Sequence, residues 1–130
     1  MIPVAQTRTG ANGNCWPACI ASILELPLAE IPEFSREPEQ WLVDVQEWLA
    51  GLGLYYVQVK PDDPAVKAAF AQGEPLYHVI EGLSPRGGQH AVVGDRGKFL
   101  FDPHPQDGTG RGLVNVACYG LLCGRFAGTE

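Results

Sequence analysis

Three residues far apart in the chain, Cys15, His90 and Asp102, carry the thiol, imidazole and carboxylate that nucleophilic catalysis needs. A thiol attacks as the thiolate, so a catalytic cysteine requires surroundings that favour the anion. From Trp16 onward, Trp16, Ile20, Ile23 and Leu24 recur at helical spacing, with Ala18, Cys19 and Ala21 as small fillers. Pro17 suits a first turn, where its missing N–H has no helical partner anyway, and Pro27 ends the helix. Cys15 is therefore expected at a helix N-terminus. There the peptide dipoles favour negative charge and unpaired N–H groups can hold an oxyanion. The opposing reading is a buried cysteine serving as a small apolar residue, the role that suits Cys19 one turn later. A polar, glycine-bearing loop from Thr7 to Asn14 favours the catalytic reading, because it brings backbone close to the sulfur.

The base and its orienting carboxylate follow from turn arithmetic. Gln89 to Gly94 and Lys98 to Asp102 read as strands flanking Asp95-Arg96-Gly97, which matches a three-residue hairpin loop closed by a left-handed glycine. Pairing Gly94 with Lys98 puts His90 directly opposite Asp102, on one face, with Cβ atoms about 5 Å apart. A carboxylate there accepts from one imidazole nitrogen and leaves the other for the thiol. The plainer alternatives are a packed strand histidine and an aspartate that only caps the turn before Pro103. His78 and His104 are rival bases. His78 has no evident carboxylate partner, and His104 lies past the expected end of the hairpin.

The elements that must hold these groups are legible in outline. Trp41, Leu42, Val45, Trp48, Leu49 and Leu52 mark one buried face of a second helix, with Gly51 and Gly53 as stops. Leu54 to Val59 reads as a strand. Asp63-Pro64 caps a short helix through Phe70, closed by Gly73. Leu76 to Ile80, Leu113 to Cys118 and Tyr119 to Phe126 read as further strands, the last two open to being one bent strand. Helices first and strands after predict an α+β fold, with N-terminal helices packed on a mostly antiparallel β-sheet.

Bulk properties narrow the function. The 130 residues suit one domain over 1–130. Hydrophobic residues at 45% and charged residues at 18% predict an ordered globular chain. A net charge of −6 with no dense basic stretch argues against a nucleic-acid partner; an acidic surface reflects solubility or favours a basic partner. No membrane span and no export signal are expected, so the four cysteines read as reduced thiols in a cytoplasm, of a bacterium or a phage-infected cell. No cofactor is expected, and no metal, because neither Cys15/Cys19 nor Cys118/Cys123 has the two-residue spacing of zinc knuckles. The oligomeric state is not legible.

The residues also carry a resemblance. Asn14-Cys15-Trp16-Pro17-Ala18-Cys19 followed by Ile20-Ala21-Ser22-Ile23-Leu24 resembles the nucleophile helix of papain-like cysteine peptidases, closest to the double-glycine leader peptidase branch. His90-Ala91-Val92-Val93 and Asp102-Pro103 resemble that branch's histidine and aspartate motifs, in the same order. The whole chain is similar to small uncharacterised phage and bacterial proteins that share the Gly-Asn-Cys helix start, Ser84 to Gly87, and Asp102-Pro103-His104-Pro105. The resemblance implies a papain-like fold and a cysteine protease or other hydrolase that cuts an amide bond of a peptide or protein substrate through a thioester. The alternatives are a deamidase or acyl transferase with the same triad, and a non-catalytic interaction protein that keeps the fold.

One departure stands out. Leader peptidases have an oxyanion-binding glutamine six residues before the cysteine, where this chain has Thr9. Gln6, nine residues before Cys15, is the favoured donor, which requires the Gly10 to Asn14 loop to bulge. Asn12 and Asn14 are alternatives, and the Asn12-Gly13-Asn14-Cys15 run resembles the approach to the nucleophile in ovarian-tumour-type deubiquitinases, which rely on backbone donors. Arg86, just before His90, is expected either to bind a substrate carboxylate or carbonyl or to be an exposed turn residue.

Overall fold

The computed structural model describes residues 1–105 and 112–125. Among them are three α-helices, α1 (Cys15–Leu24), α2 (Pro38–Ala50) and α3 (Pro64–Phe70). Five strands accompany them: β1 (Leu54–Val59), β2 (Tyr77–Leu83), β3 (Gln89–Asp95), β4 (Lys98–Phe101) and β5 (Asn115–Gly124). The strands form one antiparallel sheet in the order β1-β5-β2-β3-β4, so the chain is α+β as expected.

Helix α1 begins at the nucleophile candidate itself and ends before Pro27, where Glu25 turns left-handed and returns its N–H to Ala21. It buries Trp16, Ala18, Cys19, Ile20, Ala21 and Ser22. With Val45 and Leu49 of α2, these side chains meet Tyr56, Val79, Ala91 and Val93 of the sheet to make the core. Trp16 is the centre of that packing. Phe34, Trp41 and Tyr56 all meet it edge-on, at centroid distances of 5.8, 5.1 and 5.2 Å, the geometry that aromatic quadrupoles favour. Its indole N–H donates to the Tyr56 hydroxyl at 3.1 Å, so this buried donor is satisfied. Gly120 makes room for Tyr56, since a Cβ at 120 would collide with the phenol.

Several boundaries differ from the sequence expectation. Helix α2 starts three residues before Trp41, with Pro38 in its first turn. Of its apolar face only Val45 and Leu49 are buried, whereas Leu42 and Leu52 are exposed. Strand β2 runs on to Leu83 instead of stopping at Ile80. The two C-terminal strands are one strand, β5; Leu113 and Val114 lie before it, and Phe126 lies outside the described residues. The cap on α3 is as expected, with Asp63 Oδ1 accepting the Ala65 N–H at 2.8 Å, a contact worth about 1 kcal/mol.

The hairpin needs a larger correction. Asp95 pairs with Lys98, so the loop has two residues, Arg96 at φ 51° and Gly97 at φ 82°. Positive φ at both central positions is the requirement of the tight turn whose twist matches the strands. Gly94 then pairs with Phe99 but Val93 with Phe101, leaving Leu100 as an extra, bulged residue. Asp102 falls just past the end of β4, and His90 is not its directly opposed neighbour.

Candidate active site

The corrected register still brings the two together. Continuing the Val93–Phe101 pairing puts Asp102 across from Val92, so His90 is the diagonal neighbour on the same face, within reach of a long side chain. His90 Nε2 lies 2.7 Å from Asp102 Oδ1. Both are buried, at 6% and 1% exposure. Asp102 also accepts the N–H of His104 at Oδ1, at 2.9 Å, and that of Gly112 at Oδ2. It is thus held by three donors and orients one imidazole nitrogen. Cys15 also acts on the ring, raising its pKa, and Nδ1 is the nitrogen left to serve the thiol because Nε2 is taken.

The electrostatics follow from these partners. Burial acts to lower the His90 pKa, but the hydrogen bonds to Asp102 and Cys15, with the charges of both, raise it to about 9. Burial acts to raise Asp102, yet the bonds from His90, Gly112 and His104 leave its carboxyl below the usual value. An imidazolium pinned between a carboxylate and a thiol is the state this arrangement favours. Cys19, wholly buried behind the site, is pushed well up by burial and by the negative field of its neighbours, which keeps it an inert thiol.

Gln6 reaches the site because the loop after it folds away. The Asn14 N–H donates to Arg8 O at 3.2 Å and a single 3₁₀ turn, Gly10–Asn12, fills the space between. Asn14 fastens this junction. Its Oδ1 accepts the N–H groups of Thr7 and Arg8 at 3.0 and 2.9 Å, and its Nδ2 donates to Thr7 Oγ1 at 2.9 Å. Each end of that amide has a partner, so Asn14 fastens the loop; like Gln6 it keeps one amide hydrogen and borders the cleft. Asn12 is exposed and lies off the cleft. The backbone of Gln6 is held from the other side, its N–H donating to Pro103 O at 2.8 Å. Its side chain is buried, with Nε2 giving one hydrogen to Arg8 O at 2.8 Å while Oε1 has no partner.

Cys15, His90, Gln6, His104 and Arg86 all border one open cleft of about 1140 Å³. His104 is fixed with its ring Nδ1 2.9 Å from Pro105 O and its ring edge-on to His90. Arg86 is exposed at the rim. His78 is elsewhere. It is buried, with Nδ1 donating to Val79 O at 3.0 Å and Nε2 accepting the Gly97 N–H at 2.9 Å, so it supports the hairpin turn. None of the four cysteines is in a disulfide, and among the described residues no three acidic, histidine or cysteine side chains are grouped as metal ligands. No helix among the described residues is long and apolar enough to cross a membrane.

Sequence reasoning missed one part of the cleft. Glu81 accepts from the Tyr56 hydroxyl and, at 3.0 Å, from Gln58 Nε2, and it lines the cleft, as do Trp41 and Leu42. The available signal was a lone carboxylate inside the apolar run Val79-Ile80-Glu81-Gly82-Leu83, where a charge is rare without a partner or a task. The chain matches no protein-family model, no curated protein and no solved structure.

Proposed function

We propose that this chain is a papain-like cysteine hydrolase that cleaves an amide bond, with Cys15 as nucleophile, His90 as general acid and base, and Asp102 orienting His90. The observation that carries this reading is the buried imidazole held at 2.7 Å by the Asp102 carboxylate and bordering one open cleft with the Cys15 thiol, which helps raise its pKa. The papain-like assignment draws on the nucleophile at the head of α1, the base on β3 and the carboxylate after β4, in that chain order.

The chemistry runs as follows. The Cys15 thiolate attacks the carbonyl carbon and the π electrons move to oxygen, giving a tetrahedral oxyanion. Gln6 Nε2, which has a second hydrogen beyond the one given to Arg8, and the N–H groups at the start of α1 are the candidate donors to that oxyanion. Collapse expels the amine, which takes the proton from the His90 imidazolium, and leaves a thioester on Cys15. Water then attacks the thioester as His90 accepts its proton. Release of the carboxylic acid restores the thiolate–imidazolium pair. Deamidation of a glutamine side chain uses the same steps, and acyl transfer replaces water by an amine. The nucleophile acts as a reduced thiol, which suits a reducing cytoplasm.

Incubation with a panel of peptide, isopeptide and glutamine-containing amides, read by mass spectrometry, tests the reading. We expect a product with the mass of hydrolysis, deamidation or transfer from the natural chain and none from Cys15→Ala. Equal turnover by both proteins would overturn it.

A further inference from the structure

Glu81 is unusual among the charged groups of the cleft. Arg8 is paired with Glu33 at 2.6 Å, and Arg36 donates to the carbonyls of Ala11 and Gly13 at 3.1 and 3.4 Å. Glu81, half-buried, has hydrogen-bond partners that are neutral, the Tyr56 hydroxyl and the Gln58 amide. Among the described residues no lysine, arginine or histidine forms an ion pair with it. Its charge is felt nonetheless. Burial first, then Glu81, push the Tyr56 phenol well up and the Cys118 thiol to about 11, so neither neighbour shares the negative charge.

Its position relates it to the reacting groups from two sides. Glu81 pairs across the strands with Ala91, the residue after His90. It is also joined through the Tyr56 hydroxyl to Trp16, the residue after Cys15. Trp41 stands against Tyr56 at 6.2 Å and Leu42, next to it, is exposed into the same cleft. A carboxylate without a cation, floored by hydrogen-bond donors and walled by indole and aliphatic surface, is the complement of a long cationic side chain. The stem of such a side chain packs on the apolar wall, its head meets the carboxylate, and an indole face adds attraction.

Resting on the hydrolase reading, we infer that Glu81 forms a specificity subsite that takes a lysine or arginine side chain at one of the two substrate residues on the acyl side of the bond attacked by Cys15. The chain's net charge of −6 works in the same direction, drawing basic peptides toward the cleft.

Peptidyl vinyl sulfones differing only in arginine or norleucine, at the electrophilic residue or at the residue before it, test this on the full chain. The rate of Cys15 alkylation is followed by intact mass. At one position arginine should alkylate about tenfold faster than norleucine, and the ratio should shrink as salt is raised. Glu81→Gln keeps an acceptor for Tyr56 and removes the charge, and should bring the ratio near one while the rate with small iodoacetamide stays unchanged. Equal rates in the natural chain, a ratio indifferent to salt, or a ratio that survives Glu81→Gln would overturn the subsite and leave the hydrolase reading standing. Alkylation of Cys15 no faster than a free thiol by any probe would remove the hydrolase reading, and the subsite with it.

Discussion

Two buried histidines on adjacent strands, His78 on β2 and His90 on β3, have opposite fates. Both are hydrogen-bonded through the ring and packed among apolar strands. The partners of His78 are a carbonyl and a backbone N–H, and its ring stacks on Phe70 at 5.0 Å and 11°. Burial then lowers its pKa, and only weaker contributions from Val79 and Asp95 oppose the shift. His90 is subject to the same burial, yet Asp102 and Cys15 lift it to about 9. Burial alone therefore makes a histidine a neutral fixture. A buried anionic partner makes it a cation that can hold and pass a proton.

Exchanging the decisive partner is the strongest way to break this contrast. Asp102→Asn removes the charge that holds His90 protonated, and an amide presented to the Gly112 and His104 N–H groups satisfies fewer of them. Turnover of whichever amide the natural chain cleaves should fall about a hundredfold to ten-thousandfold, measured as kcat/KM. A fall of less than about threefold would make Asp102 a turn cap and nothing more.

The opposite exchange should leave chemistry alone. His78→Phe keeps the stack on Phe70 but strips the acceptor from the Gly97 N–H and the donor from Val79 O. Unfolding free energy in urea should drop by about 1–3 kcal/mol. Alkylation of Cys15 at a temperature where the variant is folded should be unchanged.

The two histidines should also set opposite slopes of stability with pH. His90 is raised from 6.5 to about 9, so its contribution is complete below about pH 6.5 and is lost as pH rises through 9, a loss of up to about 3 kcal/mol. His78 is lowered, so its contribution is present above about pH 6.5 and is lost as pH falls through its lowered value. Urea unfolding across pH 5–10 reads both. The alkaline slope should shrink in Asp102→Asn, where Cys15 alone still raises His90, and the acid one should weaken in His78→Phe.

Much of this contrast was legible in the residues, though not by the route that produces it. The helix head at Cys15, strand β1 and the capped α3 follow from apolar spacing, turn residues and an aspartate before a proline. The contact between His90 and Asp102 was expected from direct opposition but arises across a diagonal. A one-residue bulge at Leu100 leaves no mark in the sequence, because the run Lys98-Phe99-Leu100-Phe101 has no glycine or turn residue to signal it. Leu42 follows the apolar period of α2 yet lines the cleft, since periodicity marks a face and not what covers it. Glu81 is not singled out by the sequence, because a charge and a glycine read as the end of a strand that in the fold continues to Leu83. The bulging loop that lets Gln6 reach the cleft was anticipated as a requirement, and Asn14 supplies the fastening that closes it.

The claim that Cys15 is a nucleophile activated by His90 is tested most directly by its rate of alkylation with a simple vinyl sulfone at pH 7. The natural chain should react at least about a hundredfold faster than His90→Ala, with modification confined to Cys15. A rate equal to that of free cysteine, unchanged by His90→Ala, would contradict the account.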